Sequence, residues 1–214
     1  VVRVQAVGSK PQWRLAQQPE VEAALVALNP KNGAITALVG GFDFNRNKFN
    51  RVTQAWRQPG SSFKPFIYSA ALEKGYTPAT MIDDEPLSLT AEEAGGVAWE
   101  PQNYDGSTSG PVRMRTALTK SLNLVSVRIL QGIGPYYARD YIRRFGFDPS
   151  RHPPYLTMAL GAGSVTPLQL AAAYGVFANG GFSVKPYLID KVYDKDGRLL
   201  MQASPQKAGG NAPR

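Results

Sequence analysis

A two-lobed α/β protein is the fold class this sequence predicts. Three observations predict it: strand-like apolar runs near both ends, helical periodicity in the middle, and glycine or proline punctuation between them. Glu22 to Leu28 and Ala34 to Val39 are nearly continuous apolar runs around the turn Asn29-Pro30-Lys31-Asn32-Gly33, a hairpin in a covered sheet. Ser61 to Lys74 places Phe63, Phe66, Ile67, Ala70 and Ala71 on one buried helix face before the stop at Gly75. Met114, Ala117 and Leu118 mark a further helical face, and Leu124 to Leu130 another that ends at Gly132. Pro135 to Phe145 opens on proline, buries Tyr137, Ala138, Tyr141, Ile142 and Phe145, and ends at Gly146. Thr166 caps a helix from Pro167 that carries Leu170, Ala171, Tyr174 and Phe177 and stops at Gly180-Gly181. Tyr187 to Tyr193 and Arg198 to Gln202 flank Asp194-Lys195-Asp196-Gly197 as a second hairpin. Sheet elements therefore lie in 1–60 and 183–202, a mainly helical lobe in 61–181, and a loose tail rich in Pro, Gly, Ala and Asn in 203–214.

The 214 residues suit one large domain or a domain with a sub-lobe, and 43% hydrophobic with 19% charged residues excludes wholesale disorder. The longest apolar stretch, Leu168 to Ala178, is about half of what crosses a bilayer. The chain begins at Val1 without a leader, so any targeting segment is expected upstream. With no cysteine and one histidine, disulfides, thiolate metal sites, cysteine nucleophiles and a Ser-His-Asp triad are excluded or disfavoured. His152, between Arg151 and Pro153-Pro154, reads as a loop residue. The net charge of +8 suits an anionic partner without selecting one. Lys and Arg form no aromatic-interleaved stripe, which argues against nucleic acid. Gly161-Ala162-Gly163 lacks the third glycine of a dinucleotide fingerprint, and Asp83-Asp84-Glu85 reads as a solvated acidic loop and not a metal site. Neither a cofactor nor a metal is expected.

Two Ser-x-x-Lys elements occur. Ser204 to Lys207 lies in the loose tail, where nothing rigid holds the two groups in register. Ser61-Ser62-Phe63-Lys64 instead follows Pro59-Gly60 and opens a helix, with Pro65 in its first turn. Ser61 and Lys64 then lie about 60° apart on adjacent turns, so the amine reaches the hydroxyl, and the helix start offers free amides to a developing oxyanion. Burial beside Phe63, Phe66 and Ile67 would lower the proton affinity of Lys64, as an amine base requires. A capping serine with a snorkelling surface lysine fits the same local pattern. Lys120-Ser121-Leu122-Asn123 sits between two helices, where Asn123 caps the second, or Ser121 relays a proton while Asn123 holds a substrate amide.

Beyond these motifs, four blocks in fixed order carry a resemblance: Ala27-Leu28-Asn29-Pro30-Lys31-Asn32-Gly33 through Gly40-Gly41; Phe49-Asn50-Arg51 through Arg57-Gln58-Pro59-Gly60-Ser61-Ser62-Phe63-Lys64-Pro65; Trp99-Glu100-Pro101-Gln102-Asn103-Tyr104-Asp105-Gly106 through Ser121-Leu122-Asn123; and Leu160-Gly161 through Val165-Thr166-Pro167-Leu168 to Phe177-Ala178-Asn179-Gly180-Gly181. With them the chain resembles the transpeptidase domain of class A, bifunctional penicillin-binding proteins, over most of residues 22–193. The resemblance implies the penicillin-binding and serine β-lactamase-like fold, an antiparallel sheet flanked by helices plus a helical lobe. It also implies Ser61 as nucleophile, Lys64 as base or proton relay, Ser121 as second relay and Asn123 as a substrate-amide contact. The implied substrates are D-Ala-D-Ala stem peptides of peptidoglycan, with β-lactam antibiotics acylating the same serine, at the outer face of the cytoplasmic membrane.

One family element is absent. No Lys-Thr-Gly or Lys-Ser-Gly occurs; Lys31-Asn32-Gly33 comes too early, and Asp196 of Lys195-Asp196-Gly197 would repel a substrate carboxylate. The expectation is that the last strands of the sheet follow Arg214, so that 1–214 is the N-terminal part of the domain. The family's glycosyltransferase domain and membrane anchor would lie upstream. The chain alone should then acylate slowly and expose an apolar sheet edge. Two rival readings are a serine β-lactamase or β-lactam sensor, for which no deacylating glutamate is identifiable, and a non-catalytic module that binds an anionic polymer.

Overall fold

The computed structural model describes residues 4–8, 12–15, 17 and 19–214. Its strands pair antiparallel in twos. β1 (Val4–Ala6) pairs with β2 (Trp13–Leu15), and β3 (Leu25–Leu28) with β4 (Ile35–Val39). The β3–β4 turn is the Asn-Pro-Lys-Asn-Gly segment, where the Asn29 side chain accepts from the Lys31 amide and Gly33 adopts φ +77°. The pair is less covered than its apolar sequence led us to expect: Leu25 and Val39 are each more than half exposed. A single parallel bridge, Ala34 to Tyr187, ties β4 to the C-terminal region.

After α1 (Arg51–Gln54), capped by Asn50, the chain enters α2 (Lys64–Glu73), the axis of the core. Phe63, Phe66, Ile67, Ala70 and Ala71, the face read from the sequence, are fully buried. Phe66 sits in an aromatic cluster with Phe145, Phe147, Tyr174 and Phe177, ring centroids 4.8–5.4 Å apart. Truncating it to alanine would cost about 3–5 kcal/mol.

Two strands in the helical lobe went unread in the sequence: β5 (Met81–Asp84), then, after α3 (Ala91–Ala94), β6 (Gly110–Arg113), which pairs with β5. Each is four residues long, one in an acidic segment and the other containing proline, so neither gave an alternating pattern. Asp84, read as part of a solvated loop, is fully buried at the end of β5. α4 (Met114–Thr119) and α5 (Asn123–Ile133) follow, joined by Lys120–Leu122. α6 (Pro135–Tyr141) runs into a 3₁₀ turn through Phe145 and stops at left-handed Gly146. α7 (Pro167–Ala178) starts in a capping box of Thr166 and Gln169, and β7 (Lys191–Tyr193) pairs with β8 (Leu199–Gln202).

The C-terminal residues differ from the loose tail expected. The Ala208 amide donates to the Lys31 carbonyl, the Ser183 amide donates to the Pro213 carbonyl, and Ala212 is buried. Composition says nothing about whether a partner surface exists for such a segment, and here the β3–β4 turn supplies one. Among the described residues no helix is long and apolar enough to cross a membrane.

His152 is the other departure. It follows a 3₁₀ turn, but its ring is buried and stacks on Phe63 at 4.9 Å and 12°, with Phe147 edge-on. Its Nδ1 has no hydrogen-bond partner among the described residues. Burial pushes its pKa down to about 4, against the ordinary 6.5. The unfolded chain therefore binds a proton between these values and the folded chain does not, so stability is full above about 6.5 and is lost as pH falls towards 4. Melting temperatures across that range should fall less steeply in His152→Leu than in wild type; parallel curves would show that carboxylates alone set the acid limit.

Candidate active site

Ser61 does not open the α-helix directly. Gly60–Phe63 is a 3₁₀ turn and α2 begins at Lys64. Pro65 explains this: it has no amide to give to the Ser61 carbonyl four residues back, and its ring would strike that oxygen in a continuous α-helix. The Ser61 carbonyl accepts from the Lys64 amide instead. Ser61 is exposed, and its hydroxyl makes no hydrogen bond among the described residues. Its neighbour is committed elsewhere: Ser62 Oγ donates to the Pro59 carbonyl at 2.6 Å, and the Ser62 carbonyl accepts from Tyr174 Oη at 2.7 Å.

The turn rests on the segment before α7. Arg57 and Val165 exchange both backbone hydrogen bonds at 2.9 Å, and Gln58 Nε2 donates to the Ala162 carbonyl. Gly161, at φ +72°, lies main chain to main chain against Gly60, and a Cβ there would collide with the Gly60 backbone.

Lys64 is 1% exposed, which removes the snorkelling alternative. Its Nζ donates to the Ser121 carbonyl at 2.6 Å, Asn123 Oδ1 at 2.7 Å and Ser121 Oγ at 3.0 Å, a partner for each ammonium proton. Burial lowers its pKa from 10.5 to about 8. Of the four residues singled out in the sequence, Lys64, Ser121 and Asn123 thus meet around one amine. The expected Ser61 to Lys64 hydrogen bond is not formed.

Ser121 has φ +55°, the only non-glycine residue in the left-handed region among those described. Left-handed backbone costs about 1–2 kcal/mol outside glycine, and here it turns both the carbonyl and the hydroxyl of Ser121 onto Lys64. Asn123 is not the cap of α5. Leu122 holds that position without a side-chain bond, and Asn123 Nδ2 donates to the Gln102 carbonyl at 2.8 Å. The open amides of α5 are taken by Asn103, whose Oδ1 accepts from the amides of Asn123 at 2.7 Å and Leu124 at 3.4 Å. Asn103 and its buried partner Asp84 were missed from sequence, because nothing local links residues 20 apart to a helix start. A groove of about 400 Å³ lined by Pro86, Ser88, Glu100, Gln102, Asn103 and Leu124, among others, opens beside this network.

The family described as Penicillin binding protein transpeptidase domain matches residues 23–212. The chain belongs to the penicillin-binding protein transpeptidase family. It is 56% identical to penicillin-binding protein 1A of Neisseria lactamica over all 214 residues, which cover 27% of that protein. Among solved structures, penicillin-binding protein 1A from Haemophilus influenzae aligns with a TM-score of 0.88 and 43% identity over 96% of this chain and 30% of that one. The PonA1 protein from Mycobacterium tuberculosis in complex with penicillin V aligns at 0.74 and 27% identity, over 86% and 51%. The mixed helix and sheet of the chain is thus that of penicillin-binding transpeptidase domains, as the four sequence blocks led us to expect. The chain spans about a quarter of the length of the curated relatives it matches.

Proposed function

We propose that this chain carries the serine-acylating part of a peptidoglycan D,D-transpeptidase. The observation that carries the reading is the buried Lys64 amine, with pKa near 8, held by Ser121 and Asn123 in a penicillin-binding transpeptidase fold one helical turn from an exposed serine. In the neutral state Lys64 takes the Ser61 hydroxyl proton as Oγ attacks the penultimate D-Ala carbonyl of a stem peptide. The tetrahedral oxyanion collapses, the terminal D-Ala leaves on its nitrogen with a proton returned through Lys64 and Ser121, and an ester to Ser61 remains. An amine from a neighbouring stem then attacks the ester, forms the cross-link and restores the hydroxyl. Asn123 offers its side-chain amide to the substrate backbone. A β-lactam stops at the ester because its cleaved ring keeps the leaving amine attached.

The same reading places residues 1–214 as the N-terminal part of the domain. The Lys-Thr-Gly strand would follow Arg214 and lie alongside the β3–β4 pair, whose Leu25 and Val39 are exposed, while a glycosyltransferase domain and membrane anchor would lie upstream, at the outer face of the cytoplasmic membrane. The large share of each relative outside the match supports this.

The test is peptide mapping after exposure of the intact protein to a labelled penicillin. A stable adduct on Ser61 is expected. Rapid turnover would favour a β-lactamase, and no adduct would favour a module without catalysis.

A further inference from the structure

Beneath Ser121 and Asn123 lies a polar pair that the proposed acylation does not use directly. Asp84 is completely buried and Asn103 is 6% exposed. Asn103 Nδ2 donates to Asp84 Oδ1 at 2.8 Å and to the Ser107 carbonyl at 2.9 Å, while Oδ1 accepts from the first two amides of α5. All four hydrogen-bonding positions of the amide are filled. Asp84 Oδ2 accepts from the Ser109 amide at 3.1 Å. The carboxylate can only accept, so it dictates which end of the Asn103 amide faces it, and therefore that the oxygen faces α5.

We propose that Asp84 and Asn103 are a positioning pair: Asp84 sets the orientation of the Asn103 amide, and Asn103 anchors the first turn of α5 so that Asn123 and Ser121 stay on the Lys64 amine. The inference rests on the proposed function only for what that amine goes on to do. Neither residue touches Ser61 or Lys64; both act through the backbone that carries Asn123. A buried polar side chain filling the orphan amides of a helix from another segment is a rigid strut, since moving it strands two donors at once. The tie of Ser126 Oγ to the Leu122 carbonyl at 2.7 Å, with Tyr68 Oη 3.2 Å from the same Oγ, holds the other side of this turn.

Asp84→Asn is the discriminating variant because it conserves shape. Its new amide cannot accept from both Asn103 and the Ser109 backbone, so the Asn103 amide is free to invert and present a donor to the donors of α5. With the turn loosened, water reaches Lys64, and its pKa should rise from about 8 towards the ordinary 10.5. Misplacement of this kind should slow penicillin acylation roughly ten- to a hundredfold at pH 8.

Two readouts are taken on the intact protein: the acylation rate of Ser61 against pH, and the titration of Lys64 Cε by carbon NMR, assigned through its loss in Lys64→Arg. The expected result is an upward shift of both midpoints in Asp84→Asn and Asn103→Ala, with restoration in the swapped double variant D84N/N103D. There the new amide donates to the carboxylate at 103, which still accepts from α5 but leaves the Ser107 carbonyl without its donor, so the restoration is partial. A folded single variant with the wild-type Lys64 midpoint and acylation rate would overturn the inference. Should neither single variant fold, a folded double variant whose Lys64 stays near the ordinary lysine value overturns it, and one that titrates clearly below that value supports it. A wild-type protein that never labels at Ser61 would sink the proposed function alone, because the NMR midpoint still reads the positioning pair.

Discussion

Ser61→Ala should abolish covalent attachment of penicillin to the intact protein while leaving its fold in place. Ser61 is exposed and its hydroxyl holds nothing among the described residues, so its removal leaves no cavity and strands no buried partner. The turn that shapes its backbone is fixed by Pro65, Gly60 and Ser62, none of which the substitution touches. Ser62 does not offer a substitute nucleophile, since its Oγ already donates to the Pro59 carbonyl and its own carbonyl is held by Tyr174. Mass mapping should show adduct on wild type only. Full labelling of the alanine variant would remove Ser61 from the mechanism, and labelling at Ser62 would mean that the Pro59 contact opens in solution.

Lys64→Arg should be nearly as damaging as Lys64→Ala, with a loss of at least about a hundredfold in acylation rate. Lys64 is held close to its charge change, with a pKa near 8, and the wild-type rate should climb as pH rises through that value because only the neutral amine can accept a proton. A guanidinium stays protonated throughout this range. It also brings five donors in a rigid planar fork into a site that offers Lys64 three acceptors, so both the geometry and the proton affinity are lost. Stopped-flow acylation across pH 6 to 10 should show a rising limb in wild type and a flat, low line in the arginine variant, on the order of what a missing general base costs. If the arginine variant kept within about tenfold of wild type, roughly 1.4 kcal/mol of barrier, Lys64 would serve as a fixed charge and not as a base.

What could be read ahead of the structure follows a physical divide. The apolar face of α2, the Thr166 start of α7 and both glycine-closed hairpins were legible because each is decided by neighbours within a turn or two of sequence. The same locality pointed to Ser61 and Lys64. It misdirected the expectation that their side chains would bond each other, because the Lys64 amine finds better acceptors 57 and 59 residues away. Asp84 looked like surface charge, since a carboxylate in an acidic run gives no sign that an amide 19 residues later will meet it in the interior. The local setting of Asn123 fits a cap as well as a substrate contact, and only the approach of Asn103, 20 residues earlier, decides that another residue supplies the capping oxygen. His152 looked like a loop residue because proline flanks it, and only the arrival of Phe63 and Phe147 makes it core.

The contact of Gly60 with Gly161 sets how substitution can reshape this protein. No side chain spaces the two segments, so the height at which Ser61 stands is gauged by the peptide skeleton itself. Residues around the groove can be exchanged, and what enters can change with them, without altering that gauge. Neither glycine has the same latitude, because both hold positive φ and the Gly161 position has no room for even one added carbon. Drift in what this surface recognises and drift in where its serine sits are therefore separate paths, the first open and the second closed at a single pair of residues.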